Sequence, residues 1–556
     1  MPSFSRFLLA VVAASSTVVQ AAVQWPLTDD VGPTTTTEAK GAVICNVLDY
    51  GGTIGSSDIG PAILSAFTNC VKKAATATLY IPPGSYNMET WVTLDDGNHW
   101  ALQLDGIIYR ASTTGGHMFI IENAVDFEMF SSTSAGAIQG LGYLARNAGP
   151  RLLRMVKSTN FSVHDLIFVD SPEFHVIVQA GSNGELYNLA IRGTNLGGSD
   201  GIDISGVNHW VHDVEVTNRD ECVTVKSPAS NFLIERIWCN QSGGSAIGSL
   251  SDGTAIADIV YRNVYTNGGN QMMMIKSNLG SGSVENVLFQ NFIGRGTAYG
   301  LDVNQYWEST PGTGPGVLLN NITFENWDAE IVSVVRAPVQ FICADGAPCQ
   351  QMILSNVNMY VESGTAVVKC ESAYGTGACL KASGTASYSA ITSTITLPAS
   401  YTVPPTLAGD LASGFATNSS IPIPTIPSTF YPGLAQISPL AKDIASATVM
   451  TTMVTTATSI TTSSTTTPFI AASSTTTVSA TTSSTATSSM ETPSTTASAT
   501  STSETAMPTA TTSTARGTSK HRFSTKGPIR NDTETNTLKA PSKHTKHKRG
   551  HARRGL

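Results

Sequence analysis

Eight short pieces of the chain share one pattern: a polar residue followed by a large apolar one, inside a run rich in β-branched or aromatic residues. They read SVHDLIF, ELYNLAI, WVHDVEV, LIERIWC, VYRNVYT, LFQNFIG, TFENWDA and LSNVNMY. The apolar members are Leu166, Leu189, Val214, Ile237, Val264, Phe292, Trp327 and Val357, at steps of 23, 25, 23, 27, 28, 35 and 30 residues. The polar members are Asp165, Asn188, Asp213, Arg236, Asn263, Asn291, Asn326 and Asn356. A drifting period in the twenties predicts stacked coils, each of two or three short strands, with successive coils ~4.8 Å apart. The apolar column then faces the interior. Asn suits the corners because it tolerates left-handed backbone, and stacked Asn amides can hydrogen-bond along the stack.

Other architectures fit less well. Leucine-rich repeats share the period, but their Leu-x-x-Leu-x-Leu signature is missing. A doubly wound fold needs amphipathic helices between its strands, and only IGPAILSAFTNCVKKA (59–74) reads as a good one. That helix is expected to cap the open N-terminal end. The fold class is therefore all-β: a single-stranded right-handed parallel β-helix, or solenoid, over residues 22–440, followed by a disordered C-terminal extension.

The flanking segments differ in composition. Residues 1–21 read as a secretory signal, with Arg6, the apolar stretch FLLAVVAA and a small-residue site after Ala21. The stretch is too short to span a membrane. Residues 441–518 become almost wholly Ser, Thr and Ala with scattered Pro, which suits an O-glycosylated stalk that cannot bury a core. Residues 519–556 form a basic tail. They hold 11 Lys/Arg against 2 Asp/Glu, so a formal net charge of −8 conceals −17 over residues 1–518. The tail reads as a disordered charged end, or as an adhesive for acidic wall polymers; export argues against nucleic acid. The body is expected to be a monomer.

Eight cysteines fit an oxidising, extracellular location. Eight allow 105 pairings, and loop closure favours neighbours: Cys45 with Cys70, Cys222 with Cys239, Cys343 with Cys349, Cys370 with Cys379. Sequons stand at Asn160, Asn240, Asn321, Asn418 and Asn531.

The chemistry is expected on strands that follow the repeats: SDGIDIS (199–205), DECVTVKS (220–227), GSAIGSL (244–250) and MMMIKSN (272–278). Asp200 falls level with Glu221, 21 residues or one coil later, and Lys276 lies two coils beyond. Asp200, Asp220, Glu221 and Lys276 can so converge on one outer face. Strict alternation cannot point both Asp220 and Glu221 outward, so a bend is required. Carboxylates crowded beside a cation suit glycoside hydrolysis. One, kept protonated by its neighbours, serves as acid while another activates water. An inverting geometry asks for roughly 6.5–9.5 Å between the carboxyl groups. A solvated turn or a calcium site is the bland alternative. His209 and His212 have no third ligand nearby, so neither a metal nor a cofactor is expected.

GSDG (198–201), RDEC (219–222), SGGSAIGS (242–249) and MIK (274–276) resemble, in order and spacing, the Asn-Thr-Asp-Gly, Asp-Asp, Gly-His-Gly and Arg-Ile-Lys pattern of the pectin-degrading glycoside hydrolases of family 28. The resemblance covers about residues 40–440. It implies an inverting, endo-acting hydrolase with Asp220 as general acid, Asp200 and Glu221 activating water, and Lys276 pairing with a substrate carboxylate. Asp203 is expected to be structural. The family's Gly-His-Gly histidine has no counterpart, and Met274 stands where its arginine would be. Both departures point to the rhamnogalacturonase branch, whose α-1,2 galacturonosyl-rhamnose linkage has one neutral sugar. Arg295, where that branch carries His, and Tyr299 are further candidates for substrate contact, as are Tyr306 and Trp307. Polygalacturonase and xylogalacturonan hydrolase activities are alternatives within the family; a pectate-type lyase and a non-catalytic wall-binding protein are the alternatives outside it.

Overall fold

The computed structural model describes residues 26–446, apart from 311, 334, 362–364, 398 and 400. The expected signal segment, nearly all of the stalk, the basic tail and Asn531 lie outside the described residues.

The body is a parallel β-solenoid of about 11 turns. The apolar column anticipated from the repeat is the observed register: Leu166, Leu189, Val214, Ile237, Val264, Phe292, Trp327 and Val357 pair one after another across successive coils. Leu166 through Trp327 are buried. Aromatic members stack, with Phe292 and Trp327 ring centroids 4.2 Å apart. Each polar partner turns a corner in left-handed backbone, with φ between 49° and 58° from Asp165 to Asn356. The amides form a ladder: Asn291 donates to Asn263 at 2.9 Å, Asn326 to Asn291 at 3.3 Å and Asn356 to Asn326 at 2.9 Å.

A second corner column, not anticipated, runs through Asn160, Asn183, Asn208 and Asn231, all with positive φ. It has its own ladder, Asn183 donating to Asn160 at 2.8 Å and Asn208 to Asn183 at 3.0 Å. Two single-residue corners explain why long strands such as Ile202–Thr217 and Val223–Asn240 wrap the solenoid as three short segments each.

The ends are closed in different ways. The helix Gly60–Asn69 buries Ala62, Ile63, Ala66 and Phe67 over the first coils, and Phe67 packs 4.9 Å from Trp100. At the other end the strand Ile391–Ile395 pairs antiparallel with Ala366–Glu371, which breaks the parallel stack and blunts its edge. The chain then returns along the outside. Ile421, Ile426, Phe430 and Leu440 pack on Ile167, Ala190, Trp238 and Tyr265. Where a corner is Asp rather than Asn, its carboxylate accepts from this returning segment: Asp213 from the Ile437 amide at 2.8 Å, Asp165 from the Ala441 amide at 2.9 Å. Packing therefore runs past the expected boundary at residue 440, and the Lys442 amide still reaches Ser134 Oγ.

The four neighbour disulfides form, with Cα atoms 5.6–5.8 Å apart. One expected glycosylation site needs correction. Asn240 is fully buried, its amide nitrogen given to Glu215 and to the Gly409 carbonyl, so a glycan has no room there. Asn160 is half-buried, its side-chain oxygen in the ladder; Asn321 and Asn418 are exposed. No helix among the described residues is long and apolar enough to cross a membrane.

The corners make a testable claim. Asn291→Ala removes both ladder bonds and places a Cβ-bearing residue without a compensating side chain in left-handed backbone, costing about 2–3 kcal/mol. Asn291→Gly loses the bonds alone and is expected to cost less. Denaturant titration of the two variants checks the order.

Candidate active site

Two neighbouring loops carry the acids. Each leaves a third strand segment and enters the first segment of the next coil. Ile202 pairs with Val223, and the Gly201 amide donates to the Glu221 carbonyl at 2.9 Å, so Asp200 and Glu221 stand level one coil apart. Buried Asn218 clamps the loops together, its amide nitrogen 2.8 Å from both the Ser199 and Glu221 carbonyls. His175 braces Asp200 from the preceding coil, with Nδ1 donating to the Asp200 carbonyl at 3.0 Å. Burial pulls its pKa down to about 4, so the imidazole is neutral.

The bend that brings both Asp220 and Glu221 to the same side comes from the loop itself. Residues 218–220 lie outside the strands, and the Glu221 amide donates back to Asp220 Oδ1 at 3.0 Å. On the next coil the Gly243 amide donates to the Asp220 carbonyl at 2.7 Å. A Cβ on Gly243 would stand 2.4 Å from that oxygen, so this rung admits no side chain.

Asp200, Asp220 and Glu221 converge, each offering an oxygen within 4.8 Å of the others. Asp200 and Glu221 are only 4% and 2% exposed, whereas Asp220 is half-buried. Lys276 arrives as expected, its Nζ hydrogen-bonded to Glu221 Oε1. A second lysine, Lys226, was missed in the sequence. Its Nζ lies 3.3 Å from Asp203 Oδ1 and donates to the Gly248 carbonyl at 2.9 Å. Lys226, Gly248 and Lys276 occupy successive rungs. Gly248 between them sits at φ 125°, and a Cβ there would stand 2.4 Å from the Lys276 carbonyl oxygen, so this rung also admits no side chain.

These cations divide the acids. Burial opposes ionisation of Glu221. The Lys276 ammonium, the hydrogen bond with Asp220, the Lys226 charge and the hydrogen bond with Asp200 outweigh it and hold Glu221 below the usual carboxylate range. Burial first, then the Glu221 charge, pushes Asp220 up to about 7. Burial and the charges of Asp220, Asp203 and Glu221 drive Asp200 well above its ordinary value. The site thus holds one firm carboxylate between two protonated acids at mildly acidic pH. Lys276 and Lys226 supply, in part, the positive charge that a cation would otherwise bring to three carboxylates.

Other candidates stand elsewhere. Arg295 pairs with Glu330 at 3.3 Å rather than with the acids. One face of Tyr299 is taken by the Arg336 guanidinium, 3.7 Å from the ring centre. Trp307 is 37% exposed, and its ring lies 5.5 Å from Lys276 Nζ, next to the acids. Tyr306 is also exposed, its hydroxyl accepting from the Asp345 amide. His209 and His212 are buried structural groups, His212 held between Asp213 at 2.8 Å and Glu185 at 3.1 Å.

The raised pKa of Asp220 has a cost in stability. An unfolded aspartate titrates near ~3.9. Between that pH and about 7 the native state holds the extra proton, so folding stability falls as pH rises through this window. Asp220→Asn removes the titration. Its thermal midpoint is expected to exceed that of the parent by ~2–4 °C at pH 7, with the difference shrinking at pH 4; thermal unfolding at both values checks it.

Comparison with known proteins bears on this arrangement. The model of glycosyl hydrolases family 28 matches residues 136–379, which include all of the acids and both lysines. The chain is 52% identical over 435 residues to a probable rhamnogalacturonase A of Aspergillus niger, covering 76% of this chain and 97% of that protein. Rhamnogalacturonase A of Aspergillus aculeatus is 52% identical over 431 residues, with the same coverage. Among solved structures, endo-xylogalacturonan hydrolase from Aspergillus tubingensis shares the fold, with a TM-score of 0.52 and 22% identity over 62% of this chain and the whole of that one. The chain belongs to glycosyl hydrolases family 28.

Proposed function

We propose that this enzyme hydrolyses the α-1,2 galacturonosyl-rhamnose linkage of the rhamnogalacturonan backbone of pectin, with inversion, outside the cell. The observation that carries the reading is the level pair Asp200 and Glu221 with half-exposed Asp220 beside it. Asp220 is the acid that reaches the substrate. Protonated up to about pH 7, it gives its proton to the leaving oxygen. Asp200 and Glu221 are too deeply buried to bond directly to a sugar carbon. A water held between them can reach it, with Glu221 the ionised partner that accepts the proton. The closest oxygens, within 4.8 Å, are nearer than the roughly 6.5–9.5 Å of a typical inverting pair. Recession of two acids below the third, rather than lateral separation, is what leaves space for water. Lys276 keeps Glu221 charged and offers its remaining N–H groups to a galacturonate carboxylate.

The choice of polymer rests on the relatives, which are named rhamnogalacturonases. Trp307 offers an exposed apolar ring on which a sugar face can pack. Four disulfides suit an extracellular enzyme. We take the catalytic body to act as a monomer, with adhesion to acidic wall polymers assigned to the basic tail.

Incubation with rhamnogalacturonan and homogalacturonan side by side tests the substrate. Saturated oligomers from the first are expected; release from the second alone overturns the choice, and ultraviolet-absorbing unsaturated ends would indicate a lyase. Asp220→Asn should lower kcat by about 10²–10⁴-fold. The parent rate should fall as pH rises through about 7, where Asp220 loses its proton. Lys276→Met removes the charge that depresses Glu221, so the acid limb of the profile should move to higher pH. Trp307→Ala should raise KM about tenfold, read from initial rates over a range of oligomer concentrations.

A further inference from the structure

Arg336 belongs to none of the features above, yet it is held with unusual care. It reaches back from the segment that follows the strand Leu318–Ile331 onto the coils beyond the acids. Its guanidinium stacks on Tyr299, 3.7 Å from the ring centre. Nη1 donates to Asp302 Oδ2, and Nη2 donates to Gln271 Oε1 at 3.2 Å. Asp302 is fixed in turn by Gln340 at 2.6 Å. These two bonds use two of the five N–H donors of an arginine, and the side chain stays 27% exposed. A guanidinium immobilised on three sides and still open is preorganised for an anion, since little further entropy is lost on binding.

Its place along the solenoid gives the anion an identity. The Cys222 amide donates to the Gly244 carbonyl, Ser245 pairs with Met273, and Gln271 pairs with Tyr299. Gln271 therefore stands two rungs beyond Glu221, or ~10 Å, and Tyr299 one rung further. The intervening rungs carry Ala246 and then Met274, both buried, the latter on the strand that also bears Lys276. Read along the solenoid, Lys276 stands two rungs beyond the acids, on the strand that carries Gln271, and reaches back to Glu221, while the Arg336 guanidinium lies over Tyr299 one rung further. A polymer that alternates a uronate with a neutral sugar carries its carboxylates two sugars apart, on the scale of this separation.

We propose that Arg336 is a specificity-determining residue that binds the carboxylate of a second galacturonate, one neutral sugar removed from the galacturonate at the acids. This rests on the rhamnogalacturonan reading. Tyr299 is then the platform under the guanidinium rather than a platform for sugar.

Binding separates this from a purely structural role. The Asp220→Asn protein serves as a non-cleaving host, titrated calorimetrically with rhamnogalacturonan oligomers and with the same oligomers after reduction of their carboxyl groups to alcohols. Adding Arg336→Gln should weaken binding of the native oligomers about 10–100-fold, the scale of one charge-assisted contact. On the reduced oligomers the same change should matter less than about threefold. Arg336→Lys should fall between, since it keeps the charge without the planar fork. An equal loss on both ligands, or no loss on either, overturns the proposal. Should Arg336→Gln fail to fold, the Arg336→Lys pair of titrations decides in the same way. If the parent enzyme leaves rhamnogalacturonan uncut, the substrate reading has failed. Titration of the two hosts with galacturonate oligomers then still reports whether Arg336 binds a carboxylate.

Discussion

Parallel backbone pairing between coils sets where each functional side chain stands in this enzyme. A rung rises ~4.8 Å, so residues one coil apart in sequence become neighbours at sugar-bond scale. The pairing of Ile202 with Val223 decides that Asp200 and Glu221 face the same point. A slip of one residue would turn one of them into the core. Register in turn is held by the interior column, whose members fill the solenoid from Leu166 to Trp327, and by corners that admit only residues able to sit at positive φ. The catalytic geometry is thus fixed by packing far from the acids, and loops are free to vary only between the strands.

Within that frame, charge does the sorting. Three carboxyls in one small volume cannot all ionise. Lys276 selects Glu221 as the ionised member, and its negative charge then helps keep Asp220 protonated. Lys226 serves Asp203 from the adjoining rung, which keeps a fourth carboxylate paired. Burial and the two lysines together separate the ionised member from the protonated ones.

The periodic part of this design is legible in the sequence, because repeating large apolar residues after Asn or Asp mark one strand and one corner in every coil. Asp200, Asp220, Glu221 and Lys276 follow once the coils are aligned. The second corner column was equally present at Asn160, Asn183, Asn208 and Asn231, five residues before the first. It was overlooked because its apolar neighbours vary more. Lys226 sits on the same rung as the acids, and its signal in the sequence is its alignment with Lys276 across Gly248. Arg336 and Trp307 carry no such signal. They come from irregular segments whose path is set by tertiary contacts, and His175 acts through a backbone oxygen that no side-chain pattern reveals. Asn240 looked like a glycosylation site because a sequon says nothing about the segment that later covers it.

The central claim is that Glu221 and Asp200 work through a water while Asp220 alone touches the departing sugar. The configuration of the first-formed product tests it most directly. Proton nuclear magnetic resonance during the first minutes of hydrolysis, before mutarotation, should show the new reducing galacturonate end as the β anomer, inverted from the α linkage. An α anomer at that stage would mean that a carboxylate had bonded to the sugar itself, and would contradict the account.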